Sequence, residues 1–527
     1  MEFDLDSDDV GTRNADVAIV GAGVAGQTLA RRLLERGHEV ILIDAGGREF
    51  DRNVQEAARG ENVGEPYYDL HTTRLRLFGG TAAIWGGRCA ELDPIDFERR
   101  DYIPHSGWPI SKADLDPYYG KSFAELGLER PGGGRLWAHT DTPRPALDPG
   151  RIDADLWVFD EFGERFADRA RGGLDRAQLI LNASVTSIDV DEAGAVRGLG
   201  LASLSGRTAT VRARRYVLAA GAIDTVRLLL GNVPARPDGL GNSRDVVGRY
   251  FMEHPHTRGG TVEARKIAAI MALTPRAIRH EGKRYAAYLR PADRLQRERG
   301  ILNTSLTLAP RRHESAPMSA LKATTGKLKH DLPSTRFWRS SYKRLKKGGI
   351  KFLEWTEPVP STLAVRLSRH SAIYPVVRAE QAPNPDSRIT LASDTDAFGS
   401  PLPRLDWRLL DIDKRSVKVL IETLGEELRR LGLGDARPAD WLSDAETAWQ
   451  SDRNISAHPI GGYHHMGGAR MGSDPATSVV NANCRLHASP NLYVAGSAVF
   501  PTSGWANPTV TIMALAKRLG DHLDAVL

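Results

Sequence analysis

Residues 15–46 read Ala-Asp-Val-Ala-Ile-Val-Gly-Ala-Gly-Val-Ala-Gly-Gln-Thr-Leu-Ala-Arg-Arg-Leu-Leu-Glu-Arg-Gly-His-Glu-Val-Ile-Leu-Ile-Asp-Ala-Gly. The apolar run Val17–Val20 predicts a strand, and Gly21-x-Gly23-x-x-Gly26 follows it directly. A helix carrying Leu29, Leu33 and Leu34 comes next and is ended by Gly37; a second apolar strand, Val40–Ile43, finishes at Asp44. Each glycine has a physical reason in a dinucleotide-binding unit. Gly21 makes the tight turn, Gly23 lets backbone approach a pyrophosphate, and Gly26 lets the helix pack close on the strand. A pyrophosphate placed there meets the positive N-terminal end of the helix, and Asp44 falls where an acid accepts hydrogen bonds from the adenosine ribose. The fingerprint does not separate FAD from NAD. Its place at the start of a long chain favours a flavoprotein, in which later segments return to the cofactor.

Two later segments read as such returns. Ile180–Val190 has a strand pattern, the turn Glu192-Ala-Gly194 and further β-like stretches follow, and an apolar strand from Tyr216 reaches Gly221 ahead of a helix. A meander feeding a parallel strand is typical of FAD domains of the glutathione-reductase type; it puts Val185 beside the adenine and Ala220 and Gly221 near the nucleotide. The second return is Asn491-Leu-Tyr-Val-Ala-Gly-Ser-Ala-Val-Phe-Pro, a loop, then Trp505-Ala-Asn-Pro-Thr-Val-Thr-Ile. Pro508 fits the first turn of a helix whose N–H donors face the flavin pyrimidine and stabilise negative charge there on reduction.

The 527 residues call for two or more structural units, and 41% hydrophobic with 26% charged residues is a soluble, globular composition. The net charge of +5 hints at a polyanionic partner until it is located. Residues 321–351 hold ten Lys and Arg against the single acid Asp331, so the rest of the chain is acidic. Two readings of that segment stand: a solvated helical face or loop, and a lid, oligomer contact or anionic-surface patch in which Phe337, Trp338 and Tyr342 interleave with the cations. No nucleic-acid recognition motif accompanies it, so no nucleic-acid partner is expected. Two cysteines, Cys89 and Cys484, exclude a disulfide scaffold. No run of 18 apolar residues is present and the N-terminus is acidic, so the expectation is a cytoplasmic protein without a membrane span.

With the glycine triplet, four further motifs carry a resemblance. They are Phe78-Gly-Gly-Thr-Ala-Ala-Ile-Trp-Gly-Gly-Arg-Cys89, Gly241-Asn-Ser-Arg-Asp-Val-Val-Gly-Arg-Tyr-Phe-Met-Glu-His-Pro255, His464-His-Met-Gly-Gly-Ala-Arg-Met-Gly472 and Ala506-Asn-Pro-Thr509. Together they resemble the glucose–methanol–choline (GMC) oxidoreductases over most of the chain outside about 255–450, and within that family the pyranose-oxidase branch and its bacterial C-glycoside 3-oxidases. The resemblance implies an α/β (α+β overall) fold. A discontinuous Rossmann-like FAD domain would take residues 14–100, 178–254 and 455–527. A substrate domain on an antiparallel sheet would take 101–177 and 255–454, with the basic insert 321–351. It implies non-covalent FAD held by Gly21, Gly23, Gly26, Asp44, Ala45, Gly80, Thr81, Trp85, Gly86, Gly87, Val185, Ala220, Gly221, Ala498, Asn507 and Thr509.

The resemblance also sets the chemistry expected: oxidation of a secondary ring hydroxyl, at C3 or C2, of a pyranose sugar or glycoside, with oxygen or another electron acceptor. His464 is the implied base and Asn507 the partner that orients the substrate oxygen. An imidazole near neutral pH suits removal of a hydroxyl proton, and an amide adds no competing charge. In fungal relatives a histidine joined covalently to the flavin stands where this chain has Ile84, which cannot form that bond. Three other readings stay open: a dehydrogenase passing electrons to a quinone or cytochrome partner, a flavin-binding protein without turnover, and assembly into a homo-oligomer. His465 reads as structural rather than half of a metal pair, so no metal site is expected. His254 reads as a structural or lid residue and Cys89 as inert packing. Outside the motifs, Leu363–Val377, Arg388–Leu391 and Leu405–Leu409 read as β, and Lys414–Leu431 as an amphipathic helix.

Overall fold

A computed structural model describes residues 1–130, 137, 140, 142–160, 172–312, 371–451 and 460–527. The basic segment 321–351 lies outside the described residues.

The opening motif folds as its spacing predicts. Val17–Val20 is the buried end of a longer strand, Gly11–Val20, and Val40–Ile43 is buried along its whole length. Strands covered on both faces need such unbroken apolar runs. Around them lies an eight-stranded sheet in which Glu2–Asp4, Gln178–Leu181, Val40–Ile43, Gly11–Val20 and Thr208–Leu218 run side by side in parallel. Thr208–Leu218 changes partner along its length. Its first half closes an antiparallel meander with Val196–Ala202 and Ser184–Val190; its second half takes Leu492–Val494 as a further parallel neighbour. The carboxyl ends of these parallel strands share one edge, where open α/β sheets bind ligands. The sheet also takes in Glu2–Asp4 and Gly11–Asn14, ahead of the expected domain start at residue 14.

A nine-stranded sheet forms the second layer: seven strands run in the order Gly434–Pro438, Gly260–Ala264, Ser371–Arg378, Ser305–Arg312, Lys283–Pro291, Ile152–Phe159, Arg88–Cys89, while His256–Arg258 adds to Ser371–Arg378 and Ile278–His280 to Lys283–Pro291. Every pairing in it is antiparallel. Arg88–Cys89 is its outermost strand, so the glycine-rich segment 79–87, whose Gly79 N–H donates to the Ala22 carbonyl of the nucleotide turn, leads directly into the antiparallel sheet. Helix Asp411–Arg430 packs Val417 and Ile421 over Gly259, where a Cβ would lie 2.3 Å from Ile421 Cδ1.

Local boundaries differ from expectation for identifiable reasons. The helix expected from Lys414 starts at Asp411, because Asp413 accepts the Leu410 N–H at 2.7 Å and the Ala382 N–H at 2.8 Å. The strand expected at Leu405–Leu409 is Pro401–Asp406, paired with a second strand that runs on to Thr395; Leu410, at its far end, is exposed. Of Leu363–Val377, the described part lies in strand Ser371–Arg378.

Candidate active site

Gly21 sits at φ +104° with its N–H donated to the Ile43 carbonyl at 2.7 Å, tying the end of the first strand to the second. A Cβ on Gly26 would lie 1.9 Å from the Gly21 carbonyl oxygen, so helix Val24–Glu35 can rest on the turn only as glycine. At Gly23 a Cβ would meet nothing within 4 Å: that backbone faces open space, as a phosphate cradle requires. The helix has no side-chain cap, leaving its first N–H groups to a ligand. Asp44 is buried; its Oδ2 accepts from Ala22 N–H at 2.8 Å and its Oδ1 from Gly46 N–H at 2.9 Å. Burial raises its pKa, opposed by these two donors and by Arg76.

These residues open onto a cleft of about 520 Å³ that continues to the antiparallel sheet. Of the sixteen positions expected to hold cofactor, Gly21, Gly23, Asp44, Gly80, Thr81, Trp85, Gly86, Gly87, Ala220, Gly221, Asn507 and Thr509 line it. Ala45 and Val185 line an adjoining cavity that shares Gly21, Asp44 and Ala220 with the cleft. Gly26 acts through packing. Ala498 is fully buried, with its carbonyl accepting from Ala469 N–H, and Ala495, Gly496 and Ser497 face the cleft in that segment. Helix Thr509–Val526 points its uncapped N-terminus at the cleft through Asn507, Pro508 and Thr509, with Pro508 at the N-cap position. Ile84 lines the cleft too, and it carries no nucleophile.

Sequence reasoning missed a cationic pair at the nucleotide end. Arg74 donates to Asp224 at 2.7 Å and Arg76 approaches the same carboxylate at 3.7 Å; all three line the cleft. Burial would raise the Asp224 pKa, but the two guanidinium groups hold it well below the usual carboxylate range. The Arg74-x-Arg76 spacing just ahead of the Phe78 motif was the available signal. A glycine cradle for phosphate, an acid for ribose and an uncapped helix end together fit FAD.

At the opposite end, Asn507 Nδ2 lies 3.0 Å from His464 Nε2, and both residues line the cleft. His254 is buried, with its Nδ1 2.8 Å from His464 Nδ1 and its Nε2 3.4 Å from the Ser503 carbonyl. Burial pulls the His254 pKa down to about 4, with Arg378 acting in the same direction and the Ser503 and Gly504 carbonyls against it. The ring is therefore neutral near pH 7. A carbonyl only accepts, so His254 Nε2 bears the proton and its Nδ1 is an acceptor. His464 Nδ1 must then be the donor across the 2.8 Å contact, so that in the neutral His464 ring the lone pair is on Nε2, facing Asn507. The Ser503 carbonyl thus selects the tautomer of His464 through His254, a link between positions 210 residues apart that sequence alone does not reveal.

Glu253, also missed, anchors the backbone here. Its carboxylate accepts N–H groups of His254, Gly462 and His464 and the Tyr67 hydroxyl, the last at 2.5 Å. Burial raises its pKa against those donors. His465 turns away from His464: its Nε2 lies 3.1 Å from Tyr67 Oη, and burial pulls its pKa down to about 3. Cys89 is buried against the Gly87 carbonyl with its thiol pKa pushed well up by burial. A Cβ on Gly462 would sit 2.5 Å from His464 Cε1. Gly462→Ala is expected to leave flavin binding intact while slowing anaerobic flavin reduction by up to about 100-fold, since a displaced base loses its reacting geometry.

Comparisons with known proteins agree with this geometry. A family model described as FAD dependent oxidoreductase matches residues 16–258, and one described as GMC oxidoreductase matches residues 383–516. Paromamine 6'-oxidase of Streptomyces fradiae is 26% identical over 95% of this chain and 90% of its own length. The fructose dehydrogenase large subunit of Gluconobacter japonicus is 23% identical over 97% of this chain and 98% of its own. C-glycoside 3-oxidase of Microbacterium trichothecenolyticum is 34% identical over a shorter stretch, 25% of this chain and 23% of its own. In fold, the chain superposes on pyridoxine 4-oxidase from Mesorbium loti with a TM-score of 0.52 at 20% identity, covering 97% of this chain and 99% of that one. With the N-terminal part matched by the FAD dependent oxidoreductase model, the C-terminal part resembling GMC oxidoreductases, and a cleft whose groups fit FAD, the chain is an FAD-dependent oxidoreductase.

Proposed function

We propose that this enzyme oxidises a secondary ring hydroxyl, at C3 or C2, of a pyranose sugar or glycoside to the ketone, and that oxygen then takes the electrons as hydrogen peroxide. The observation that carries the reading is His464 Nε2 held 3.0 Å from Asn507 Nδ2 on the cleft wall. Sugar-directed names among the relatives, paromamine 6'-oxidase and C-glycoside 3-oxidase, support the substrate class. Bound flavin supplies the hydride acceptor.

The residues supply the rest. His464 Nε2 takes the hydroxyl proton as the carbinol hydrogen leaves as hydride, so the carbon–oxygen single bond becomes a carbonyl. Asn507 donates its amide N–H to the substrate oxygen and fixes the carbinol against that base. His254 acts as a positioning residue by keeping the His464 proton on Nδ1. His254→Phe should therefore slow flavin reduction by up to about 100-fold with little change in substrate affinity, whereas His254→Asn, whose amide oxygen can accept from His464 Nδ1, should recover most of the rate. Equal rates in wild type and His254→Phe would remove His254 from the mechanism.

FAD is read as non-covalent because Ile84 occupies the wall where fungal relatives place their linking histidine. Acid precipitation should release all the yellow colour into the supernatant; colour in the pellet contradicts this. The test of the function itself is anaerobic addition of glycosides, followed by air and analysis of the product. Bleaching, rapid return of the yellow colour and a keto sugar are expected. Slow return in air would favour the dehydrogenase reading, which the fructose dehydrogenase relative supports, and no bleaching by any glycoside would refute the proposed substrate class.

A further inference from the structure

We infer that the substrate carries an anionic group, a carboxylate or a phosphate, and that Arg88 binds it. The inference rests on the reading that the cleft beside His464 receives the carbinol. Arg88 follows the glycine-rich wall directly, pairs with Phe159 at the edge of the antiparallel sheet, and lines the same cleft as His464 and Asn507. Its guanidinium packs 5.2 Å from the Trp157 ring centroid and 5.8 Å from that of Phe159. Its Nε is buried without a hydrogen-bond partner among the described residues.

Three buried arginines show how such a charge is matched by an acid in this protein. Arg100 is paired with Glu380, Arg74 with Asp224 and Arg227 with Asp396. Among the described residues no acid acts on Arg88: burial, then Arg284 and Arg276, pull its pKa down to about 10, which still leaves it charged at neutral pH. A guanidinium taken out of water without a counter-ion is costly, and a ligand anion offsets that cost with two parallel charge-assisted hydrogen bonds. Arg378 also lines the cleft, 5.6 Å from the centroid of the same Trp157 ring, and its charge reaches His254. The positive wall therefore extends to the His254–His464 pair. The acids of the cleft, Asp44 and Asp224, are already engaged at the nucleotide end by backbone N–H groups and by Arg74 and Arg76.

The test is an anaerobic titration of the FAD-loaded enzyme with its flavin already reduced, so that no probe is oxidised, following flavin absorbance, with three probes that differ only at C6: methyl β-D-glucoside, methyl β-D-glucuronide and methyl β-D-glucoside 6-phosphate. At least one anionic probe should bind about tenfold or more tighter than the neutral glucoside, and which one does so separates carboxylate from phosphate. Arg88→Met should abolish that preference while leaving the flavin spectrum and the neutral probe's affinity unchanged. Arg88→Lys, which keeps the charge but loses the planar fork, should retain only part of it and serves if the Met variant does not fold. Equal affinity for all three probes in wild type overturns the inference. So does a preference that survives in Arg88→Met, or a variant whose flavin spectrum shifts, which would direct Arg88 at the cofactor. Because binding is read without turnover, failure of every glycoside to reduce the flavin would sink the proposed oxidation yet leave the affinity ratio to judge Arg88.

Discussion

His464→Ala should retain yellow, bound flavin and lose substrate-driven flavin reduction by about 10²–10⁴-fold, the range in which a positioned general base contributes. The cofactor-binding groups explain the retention. The glycine turn, Asp44, the Arg74–Asp224–Arg76 set and the N-terminus of helix Thr509–Val526 make no use of the imidazole. The size of the loss follows from the geometry on the other side. Asn507 can still donate to a substrate oxygen, but His254 has no lone pair directed at the cleft: its Nε2 faces the Ser503 carbonyl and its Nδ1 faced His464. Rapid-mixing absorbance measurements on the variant provide the check, and reduction near the wild-type rate would remove His464 from the role of base.

The largest loss of stability is expected from Arg100→Met. Arg100 and Glu380 are both 0% exposed, and two hydrogen bonds of 3.0 and 2.5 Å join them. Glu380 also accepts the Asn303 N–H at 2.6 Å, and the Asn303 side chain binds Asp93 and Asp96. Without the guanidinium, the Glu380 charge stays buried near the Asp96 carboxyl, whose pKa burial and Glu380 already push well above the usual range. Breaking such a pair costs about 3–5 kcal/mol. The damage should reach the active site, because Gln381 adjoins Glu380 and accepts the Glu253 N–H at 2.8 Å. Denaturant unfolding should show a lower midpoint for Arg100→Met, with much of it restored in Arg100→Met/Glu380→Met, where no unpaired charge remains. A midpoint equal to wild type for the single variant would show that the pair adds nothing.

The parts of this enzyme that read clearly in the sequence are those whose physics is local. Gly21, Gly23, Gly26 and Asp44 lie within one strand–helix–strand unit, so spacing alone carried their geometry, and Pro508 announced the helix that points at the cleft. The same locality let the parallel strands stand out as unbroken apolar runs. What did not read is long-range. His254 meets His464 from another part of the chain, and the tautomer argument needs a third segment, through Ser503. Glu253 looked like a neighbour of His254 and proves to gather N–H groups from the 462–464 turn. Arg88 appeared only as the end of a glycine-rich motif; its importance lies in the absence of acids around it among the described residues, which no spacing could convey. Ala498, expected at the cofactor, is packed behind a wall made by its neighbours.

The central claim is that His464 removes a proton from a ring hydroxyl while the attached carbon gives up hydride. It is tested most directly by anaerobic single-turnover flavin reduction with a glycoside that bleaches the flavin, carrying deuterium at C2 or at C3. One of the two labels should slow flavin reduction in wild type, and His464→Ala should slow reduction by about 10²–10⁴-fold with either. Reduction slowed by neither label, or proceeding in His464→Ala at close to the wild-type rate, would contradict the account.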